Sequence, residues 1–258
     1  MKIAIVGYGK MGRMVERVAM GWGCQVTAIV DPALEGQVPS GAKPFRGMAE
    51  AGDLCGAQAA IEFTRPDTAF DNVMALVGKG IPAVVGTTGW TDRLDEARRA
   101  ALAAGTALFW SSNFSLGVNL FYRIAWHAAR LADAFPEYDV GGFESHHNGK
   151  LDSPSGTART LVKGVLAAMT RKDTAVWETL DRRPEPGELH FPSLRVGSVP
   201  GQHSLFLDSP ADTIEITHTA RSREGFASGA VRAAMWLAGD GGRKGYFTMD
   251  DMLGDILG

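Results

Sequence analysis

Apolar runs and amphipathic stretches alternate along the first half of the chain. Residues 3–6 form a continuous apolar run, as expected for a strand buried on both faces of a sheet. From Met11 onward, apolar residues recur at helical spacing. The same alternation predicts strands at 25–30, 59–63, 82–85 and 107–110 and helices at 67–79 and 91–104. Repeated strand–helix–strand units of this length predict a Rossmann-like, doubly wound parallel sheet with right-handed crossovers.

The alternation ends near Asn113, and the pattern of the second half is mixed. Helices are predicted at 120–135 and 156–169, and a strand at 138–143. Three strand-like segments follow, separated by Pro-containing turns, at 193–199, 202–208 and 213–220. A last helix is predicted at 227–237, before a short tail. This pattern indicates a second, α+β domain whose strands are partly antiparallel.

The composition is that of an ordinary globular protein, with 258 residues, 45% hydrophobic and 21% charged. It excludes disordered, collagen-like and coiled-coil chains and leaves room for one large domain or two. A net charge of −3 gives no reason to expect a nucleic acid or a membrane surface as partner. Glycine is in excess, at 32 residues, or about 12% against a usual ~7%.

The chain carries no sequence signal for a disulfide framework, a metal site or a membrane span. Cys24 and Cys55 are too few for a disulfide framework, and no Cys/His spacing resembles a zinc site, so no metal is expected. The first apolar run is too short for a signal-peptide core, and the longest nearly apolar stretch, 100–110, is too short to span a membrane. We therefore expect a soluble, cytoplasmic protein.

A glycine-rich turn follows the first predicted strand. Gly7-Tyr8-Gly9-Lys10-Met11-Gly12 fits the G-x-G-x-x-G pattern, in which glycines let a pyrophosphate approach the backbone at a helix N-terminus. The hexapeptide alone is a weak signal, but here it lies between a strand and an amphipathic helix. Asp31 ends the second predicted strand, where an acid binds the adenosine ribose. Dinucleotide binding is favoured over a simple glycine turn with a surface aspartate.

Three residues bear on the choice between NADH and NADPH. Asp31 favours NADH because a carboxylate repels a 2′-phosphate, and Pro32 stands where an NADPH-preferring enzyme places arginine. Lys10 is long enough to reach a 2′-phosphate, so NADPH stays open.

Three further loops follow predicted strands at the edge where open α/β sheets bind ligands. Each is equally compatible with a plain turn and helix cap. Their position predicts cofactor contacts from Thr64 and Arg65, from Gly86, Thr87 and Thr88, and from Ser111, Ser112, Asn113 and Phe114.

The densest chemistry lies in the polar segment 144–158. His146 and Lys150 are candidate proton donors, and Ser155 is a natural N-cap for the helix that follows. Cationic groups beside a helix N-terminus suit a substrate that carries carboxylates. A metal held by His146 and His147 is disfavoured because no acid stands at ligand spacing, and the plain alternative is a solvated surface loop.

This segment resembles the signature Glu-x-His-His-x-x-Lys-x-Asp-x-Pro-Ser-Gly-Thr-Ala of the 4-hydroxy-tetrahydrodipicolinate (dihydrodipicolinate) reductase family. Other stretches similar to that family occur in order along essentially the whole chain, at 63–66, 86–89, 113–115, 195–201, 215–218 and 222–223. The glycine loop is shorter than the family's common form and has Lys10 where arginine is usual.

The resemblance implies reduction of a small cyclic imine dicarboxylate with NADH or NADPH, in the diaminopimelate route to lysine. It implies that His146 is the proton donor and acceptor and Lys150 a proton donor, and that His147, Gly156 and Thr157 bind a substrate carboxylate. It also implies a homotetramer joined through the second domain. The expected domains are a dinucleotide-binding domain at 1–115 and 224–258, and a substrate-binding and oligomerisation domain at 116–223.

Two other functions are compatible with parts of the sequence. An amino-acid or imine dehydrogenase on the same nucleotide domain would explain the glycine loop but not the polar segment. A nucleotide-sensing module without catalysis would have degenerate residues in place of His146, His147 and Lys150, which are intact here.

Overall fold

The computed structural model describes residues 1–34, 36–239 and 241–257, and it divides into two compact units. Residues 35, 240 and 258, which belong to the expected dinucleotide-binding domain, lie outside the described residues. Leu116–Arg223 forms one unit, and Met1–Ser115 with the chain from Glu224 onward forms the other. Within the described chain, no helix combines the length and apolar character that crossing a membrane requires.

The first unit is built on a seven-stranded sheet in which every pair of neighbouring strands is parallel. Its strands are β1 (Lys2–Val6), β2 (Gln25–Val30), β3 (Lys43–Phe45), β4 (Ala59–Glu62), β5 (Ala83–Val85), β6 (Ala107–Trp110) and β13 (Gly245–Phe247). Their order is β13-β6-β5-β4-β1-β2-β3. The chain winds outward in both directions from β1 and β4, so the topological switch point lies between these two strands.

Helices cover both faces of this sheet, as a doubly wound fold requires. One apolar core joins the sheet to α1 (Lys10–Gly21), α6 (Glu224–Ala238) and α7 (Met249–Leu257). The other joins it to α2 (Pro66–Gly78) and α3 (Leu94–Ala103). The central strands are buried along almost their whole length, which explains their continuous apolar runs. The predicted fold class is confirmed.

The second unit is built on a mixed four-stranded sheet in the order β10-β7-β11-β12. These strands are β7 (Asp139–His146), β10 (Ser193–Arg195), β11 (Gln202–Asp208) and β12 (Thr213–Thr219). The β10–β7 pair is parallel, and the other two pairs are antiparallel. Helices α4 (Leu116–Asp133) and α5 (Gly156–Ala168) share one core with one face of this sheet. A small parallel pair, β8 (Thr174–Val176) and β9 (Glu188–His190), completes the unit.

Several elements differ from the predicted pattern. β3, β8, β9 and β13 have only three residues each, too few for a periodicity to register. The predicted tail forms α7, whose start is capped where Thr248 donates its N–H and its hydroxyl to Asp251, both at 2.7 Å. The predicted strand at 193–199 ends at Arg195. β7 runs three residues further than predicted, so Glu144, Ser145 and His146 lie on a strand and not in a loop.

Candidate active site

The three glycines of the G-x-G-x-x-G turn occupy different environments. Gly7 has φ +90°, and a Cβ placed there would lie 2.2 Å from the Phe63 carbonyl oxygen. A Cβ on Gly12 would lie 2.0 Å from the Gly7 carbonyl oxygen. Both positions therefore need glycine for packing. A Cβ on Gly9 would meet no atom within 4 Å, so packing does not explain the glycine at this position.

Gly9 lies between two cavities at the carboxyl edge of the sheet. One, of about 510 Å³, extends past Gly7 to Asp31 and Arg46, and the other, of about 460 Å³, extends past Lys10 to Gly86 and Thr88. Both are also lined by Phe63 and Thr64, at the switch point between β1 and β4. An open space over a helix N-terminus, with a cavity on either side, fits a dinucleotide whose pyrophosphate lies at Gly9.

Asp31 lies at the end of β2 and is fixed by two backbone groups. The Tyr8 N–H donates to Oδ2 at 2.6 Å, and the Ala33 N–H donates to Oδ1 at 2.8 Å. The Tyr8 side chain turns inward, where its hydroxyl donates to the buried carboxylate of Glu16, and burial raises the pKa of Tyr8 to about 12. Tyr8 therefore shapes the turn, while its side chain stabilises α1.

The loops after β4 and β5 are bonded to each other. The Thr64 N–H donates to Thr87 Oγ1 at 2.8 Å, and the Thr87 carbonyl accepts from the Trp90 indole at 2.8 Å. A Cβ on Gly86 would overlap the Phe63 ring. Thr88 is exposed, as is Arg65, whose guanidinium pairs with Asp67 at 3.0 Å. Of the predicted cofactor residues, Thr64, Gly86 and Thr87 are therefore fixed by bonding or packing. Arg65 and Thr88 are exposed.

The loop after β6 is held by its own polar groups. The Asn113 N–H donates to Ser111 Oγ at 3.1 Å, and the Ser115 N–H donates to Asn113 Oδ1 at 2.9 Å. Phe114 is 1% exposed and packs against Phe109, with ring centroids 5.6 Å apart. Ser112 is exposed. Phe114 therefore anchors the loop by core packing, and the polar residues before it are the ones available to a ligand.

In the second unit, strand register places a row of polar residues across the sheet. Glu144 on β7 pairs with Ser193 on β10 and with His203 on β11, and His203 pairs with His218 on β12. Register partners share a face. This row lies on the face that packs against α4 and α5, since His218 contacts the ring of Phe121 at 6.0 Å.

His146 lies on the same face, two residues nearer the end of β7. Its register partner on β10 is Arg195, and on β11 the pairing continues from Gln202–Ser145 to Gly201 beside His146. Gly201 has φ +147°, and a Cβ there would lie 3.0 Å from His146 Nε2. A side chain at this position would crowd Nε2, and glycine avoids that contact.

Glu144 is completely buried and surrounded by donors. Its Oε1 accepts from the Ser155 N–H at 2.9 Å, from the Ser193 hydroxyl at 2.7 Å and from Arg195 at 3.3 Å. Its Oε2 accepts from the Ser155 hydroxyl and lies 3.3 Å from His203 Nε2. Burial alone would raise the pKa of Glu144, but the hydrogen bonds from His203, Ser155 and Ser193 together hold it well below its usual range.

The His146 side chain is buried, at 10% exposure. Its Nδ1 lies 3.4 Å from Glu144 Oε2 and has no hydrogen-bond partner within the described part of the chain. Burial lowers the pKa of His146 to about 4, against an opposing effect of the Glu144 charge. The free ring is therefore neutral near pH 7.

The remaining predicted substrate residues follow β7 in a turn. The Lys150 N–H donates to the His147 carbonyl at 3.1 Å, and Lys150 Nζ donates to both oxygens of Asp152, at 2.8 and 3.0 Å. Ser155 caps α5, accepting from the Ala158 N–H at 3.1 Å. Gly156 is exposed and Thr157 half-buried in the first turn of α5. Since Glu144 also binds Ser155, this helix N-terminus is fixed beside the strand that carries His146.

One group of side chains has the spacing of a metal site. The ligand atoms of Glu144, His146 and His203 lie within 4.8 Å of one another. Arg195 lies 3.3 Å from the same carboxylate, so a cation there would face a fixed positive charge. The donor set favours a hydrogen-bonded network over a metal centre.

Sequence reasoning missed the roles of Ser193, Arg195, Gly201 and His203. The signal was the alternation along β10 and β11, which places every second residue on the face of Glu144 and His146. This alternation does not reveal the neighbours of Glu144 and His146 on its own, because strand order and register cannot be read from one sequence.

Comparison with known proteins matches the chain to one family over almost its whole length. The family model "Dihydrodipicolinate reductase, N-terminus" matches residues 1–114, and "Dihydrodipicolinate reductase, C-terminus" matches residues 117–253. The 4-hydroxy-tetrahydrodipicolinate reductase of Christiangramia forsetii is 37% identical over 100% of this chain and 99% of the relative. That of Chromobacterium violaceum is 38% identical over 98% of each.

Solved structures show the same fold. Dipicolinate-bound dihydrodipicolinate reductase from Paenisporosarcina sp. TG-14 aligns with a TM-score of 0.76 at 21% identity, over 96% of this chain and 97% of that one. An amine dehydrogenase from Mycobacterium smegmatis aligns with a TM-score of 0.61 at 13% identity, over 95% and 94%. Taken together, the two family models and the full-length relatives show that this chain belongs to the dihydrodipicolinate reductase family.

Proposed function

We propose that this protein reduces 4-hydroxy-tetrahydrodipicolinate (dihydrodipicolinate) to tetrahydrodipicolinate with NADH or NADPH, in the diaminopimelate route to lysine, in the cytoplasm. One observation carries the proposal. The hydrogen bond from Ser155 to Glu144 holds the capped N-terminus of α5 beside β7, the strand that carries His146. Family membership and full-length relatives of that name support it. The first unit is the dinucleotide-binding domain, and Leu116–Arg223 is the substrate domain.

The bound nicotinamide cofactor supplies the hydride. Gly9 and the first turn of α1 hold its pyrophosphate, and Asp31 binds the adenosine ribose. On the other side of Gly9, Thr87 and Thr88 line the cavity that would take the nicotinamide ribose and carboxamide. The polar loop at Ser111–Asn113 follows the neighbouring strand, β6, and would add contacts from that side. The hydrogen bond between Thr64 and Thr87 keeps this edge preorganised.

His146 and Lys150 supply the proton. When hydride adds to the conjugated imine, negative charge develops on the substrate, and a proton donor stabilises it. The free His146 is neutral, but the two substrate carboxylates bring negative charge, which favours the protonated ring. Lys150 is oriented by Asp152 and is the second donor. His147 and the N–H groups of Gly156 and Thr157 bind a carboxylate.

The cofactor preference depends on two residues at the ends of neighbouring strands. Asp31 follows β2 and Arg46 follows β3, and the Asp31 N–H donates to the Phe45 carbonyl at 3.0 Å. Arg46 is exposed and lines the same cavity as Asp31. Asp31 binds the ribose hydroxyls of NADH, and Arg46 supplies the positive charge that offsets Asp31 when a 2′-phosphate is present. The enzyme therefore uses both cofactors.

A steady-state assay with enzymatically generated dihydrodipicolinate tests the activity and the cofactor assignment together. Absence of turnover with both cofactors would refute the function. Arg46→Gln should raise KM for NADPH at least tenfold and leave KM for NADH unchanged. Lys43→Gln, which removes another exposed cation of β3 outside this cavity, is the matched control. Equal effects of Arg46→Gln on both cofactors would instead assign Arg46 to the adenine.

The assembly we propose is a homotetramer formed through the second unit. On the sheet face opposite α4 and α5, Leu194 is 52% exposed beside the stacked rings of Phe143 and Phe206. An exposed apolar patch of this kind is typical of a subunit interface. Sedimentation velocity should show a tetramer that Leu194→Glu dissociates. A monomeric wild type would refute the proposal.

An imine or amino-acid dehydrogenase is the second candidate, because the amine dehydrogenase from M. smegmatis shares the fold. A substrate panel that follows NADH oxidation separates the two functions. Turnover of open-chain imines or oxo acids, without dihydrodipicolinate turnover, would favour the second.

A further inference from the structure

Behind His146 lies a buried polar group that the reaction described above does not use. Glu144 is fully buried and lies two residues before His146 on the same face of β7. Its Oε2 faces both His146 Nδ1 and His203 Nε2. We infer that Glu144 is the positioning residue of the active site: its carboxylate orients the His146 ring through Nδ1 and leaves Nε2 to face the substrate. This inference rests on the proposed function, because it concerns the proton donor of that reaction.

The surroundings of Glu144 indicate that its carboxylate is charged. A buried carboxylate is costly unless hydrogen bonds and opposite charge compensate it. Here two backbone or hydroxyl donors and the Arg195 guanidinium point at Oε1, and the Ser155 hydroxyl points at Oε2. Such a donor set is matched to an anion and would leave a neutral carboxylic acid with too many donors. Glu144 is therefore an acceptor for any further N–H that approaches it.

His146 Nδ1 has no other partner among the residues that the structure describes. This atom is buried, has no hydrogen bond to the described residues and lies 3.4 Å from Oε2. A shift of a few tenths of an ångström gives a hydrogen bond, and such contacts commonly tighten when a substrate binds. On the opposite side of the ring, glycine at position 201 places no side chain against Nε2. An Nδ1–H bonded to Glu144 fixes Nε2 as the reacting atom.

His203 competes with His146 for the same carboxylate oxygen. His203 Nε2 lies 3.3 Å from Oε2, but it also lies 3.2 Å from Ser155 Oγ. Oε2 already accepts the Ser155 hydroxyl, so it has one lone pair left for the two imidazoles. His203 can donate to Ser155 Oγ instead, whereas His146 Nδ1 has no other acceptor among the described residues. His146 can therefore take this lone pair when its contact with Oε2 tightens and His203 turns to Ser155. The His146 and His203 rings pack edge to face, with centroids 5.2 Å apart, so the two imidazoles lie side by side at Oε2.

Glu144 also anchors the α5 N-terminus through Ser155, and a purely structural role would end there. The two roles differ in one measurable property. An anchor holds the helix whichever nitrogen of His146 carries the proton, whereas a positioning carboxylate requires the proton on Nδ1 in the neutral ring.

The first experiment measures the His146 tautomer in the unmodified protein, by long-range 1H–15N correlation near pH 7. We expect the proton on Nδ1 and a bare Nε2. A proton on Nε2 with a bare Nδ1 would overturn the inference, because a bare nitrogen cannot donate to a carboxylate. This measurement stands whether or not the protein reduces dihydrodipicolinate, so it separates failure of the inference from failure of the proposed function.

The second experiment uses Glu144→Gln, which keeps the shape of the side chain and removes its charge. We expect kcat to fall at least tenfold with KM for NADH unchanged, and the pKa of His146 to fall further, since the neighbouring charge that favours imidazolium is lost. Glu188→Gln, at an Arg182-paired carboxylate of the same unit, is the matched control. A folded Glu144→Gln variant with wild-type kcat and an unchanged His146 titration would overturn the inference.

Discussion

The glycine turn gives the sharpest test of what packing and ligand binding each require. Gly12→Ala and Gly9→Ala add one methyl group each to the same turn. In Gly12→Ala the new carbon would start 2.0 Å from the Gly7 carbonyl oxygen and 3.5 Å from the Ile5 side chain, so the start of α1 must move away from β1 by more than an ångström. In Gly9→Ala it would have no neighbour within 4 Å.

The expected magnitudes follow from these contacts. Overpacking costs about 1–3 kcal/mol, and a clash of 2.0 Å with a backbone carbonyl oxygen belongs at the upper end of that range. Alanine recovers only about 0.4–1 kcal/mol by restricting the unfolded chain. We therefore expect Gly12→Ala to lose about 2 kcal/mol and roughly 4–8 °C in Tm. Gly9→Ala should keep the wild-type Tm, while its methyl group stands where the pyrophosphate must approach and raises Kd for NADH at least tenfold.

Differential scanning calorimetry measures the first effect and fluorescence titration with NADH measures the second. Each variant is the control for the other, because both substitutions are the same at positions three residues apart. A Gly12→Ala variant as stable as the wild type would show that the close approach of α1 to the turn is wrong. A Gly9→Ala variant that binds NADH normally would show that the pyrophosphate does not lie at Gly9.

Three further predictions concern the acid chemistry. His146→Gln should lower kcat by roughly 100-fold or more, as loss of a general acid does, with NADH binding unchanged in a direct titration; wild-type kcat would remove His146 from the mechanism. Lys150→Ala should lower kcat as well as substrate affinity, and an effect on KM alone in steady-state kinetics would reduce Lys150 to a carboxylate anchor. Because the pKa of His146 falls from 6.5 unfolded to about 4 folded, the unfolded chain takes up this proton first as the pH is lowered. The folded protein should lose up to about 3 kcal/mol of stability between pH 6.5 and 4 through this group, and denaturant titrations of His146→Asn should lack that loss.

The parallel sheet was predictable because its physics is local. Strands buried on both faces read as apolar runs, and each is followed by a helix with one apolar stripe. The short edge strand β3 escaped prediction because two of its three residues are exposed, so no apolar pattern marks it. The tail helix α7 was predictable in principle, since Thr248 and Asp251 have the spacing of a capping box.

The site was predictable only in part. His146, His147 and Lys150 lie close together in the sequence and can be recognised there as a cluster. Ser155 can be recognised as the start of a helix. His203 and Gly201 are far along the chain, and they meet His146 only through the register of β11 against β7. Register depends on how all the strands of the sheet pair, so no local pattern contains it.

The surplus of glycines can be explained in part by the surroundings of each glycine in the structure. A glycine that its neighbours crowd, such as Gly7 or Gly12, is explained by packing. Gly9 and Gly156 have no atom within 4 Å of a would-be Cβ and no left-handed backbone. Open space alone does not mark function, since Gly78 at the end of α2 is equally open. What distinguishes Gly9 and Gly156 is that each stands at the N-terminus of a helix, where backbone N–H groups attract anions. The proposed reaction brings two anions of this kind, a pyrophosphate and a dicarboxylate, so a glycine without a packing reason at each helix start is what the chemistry requires.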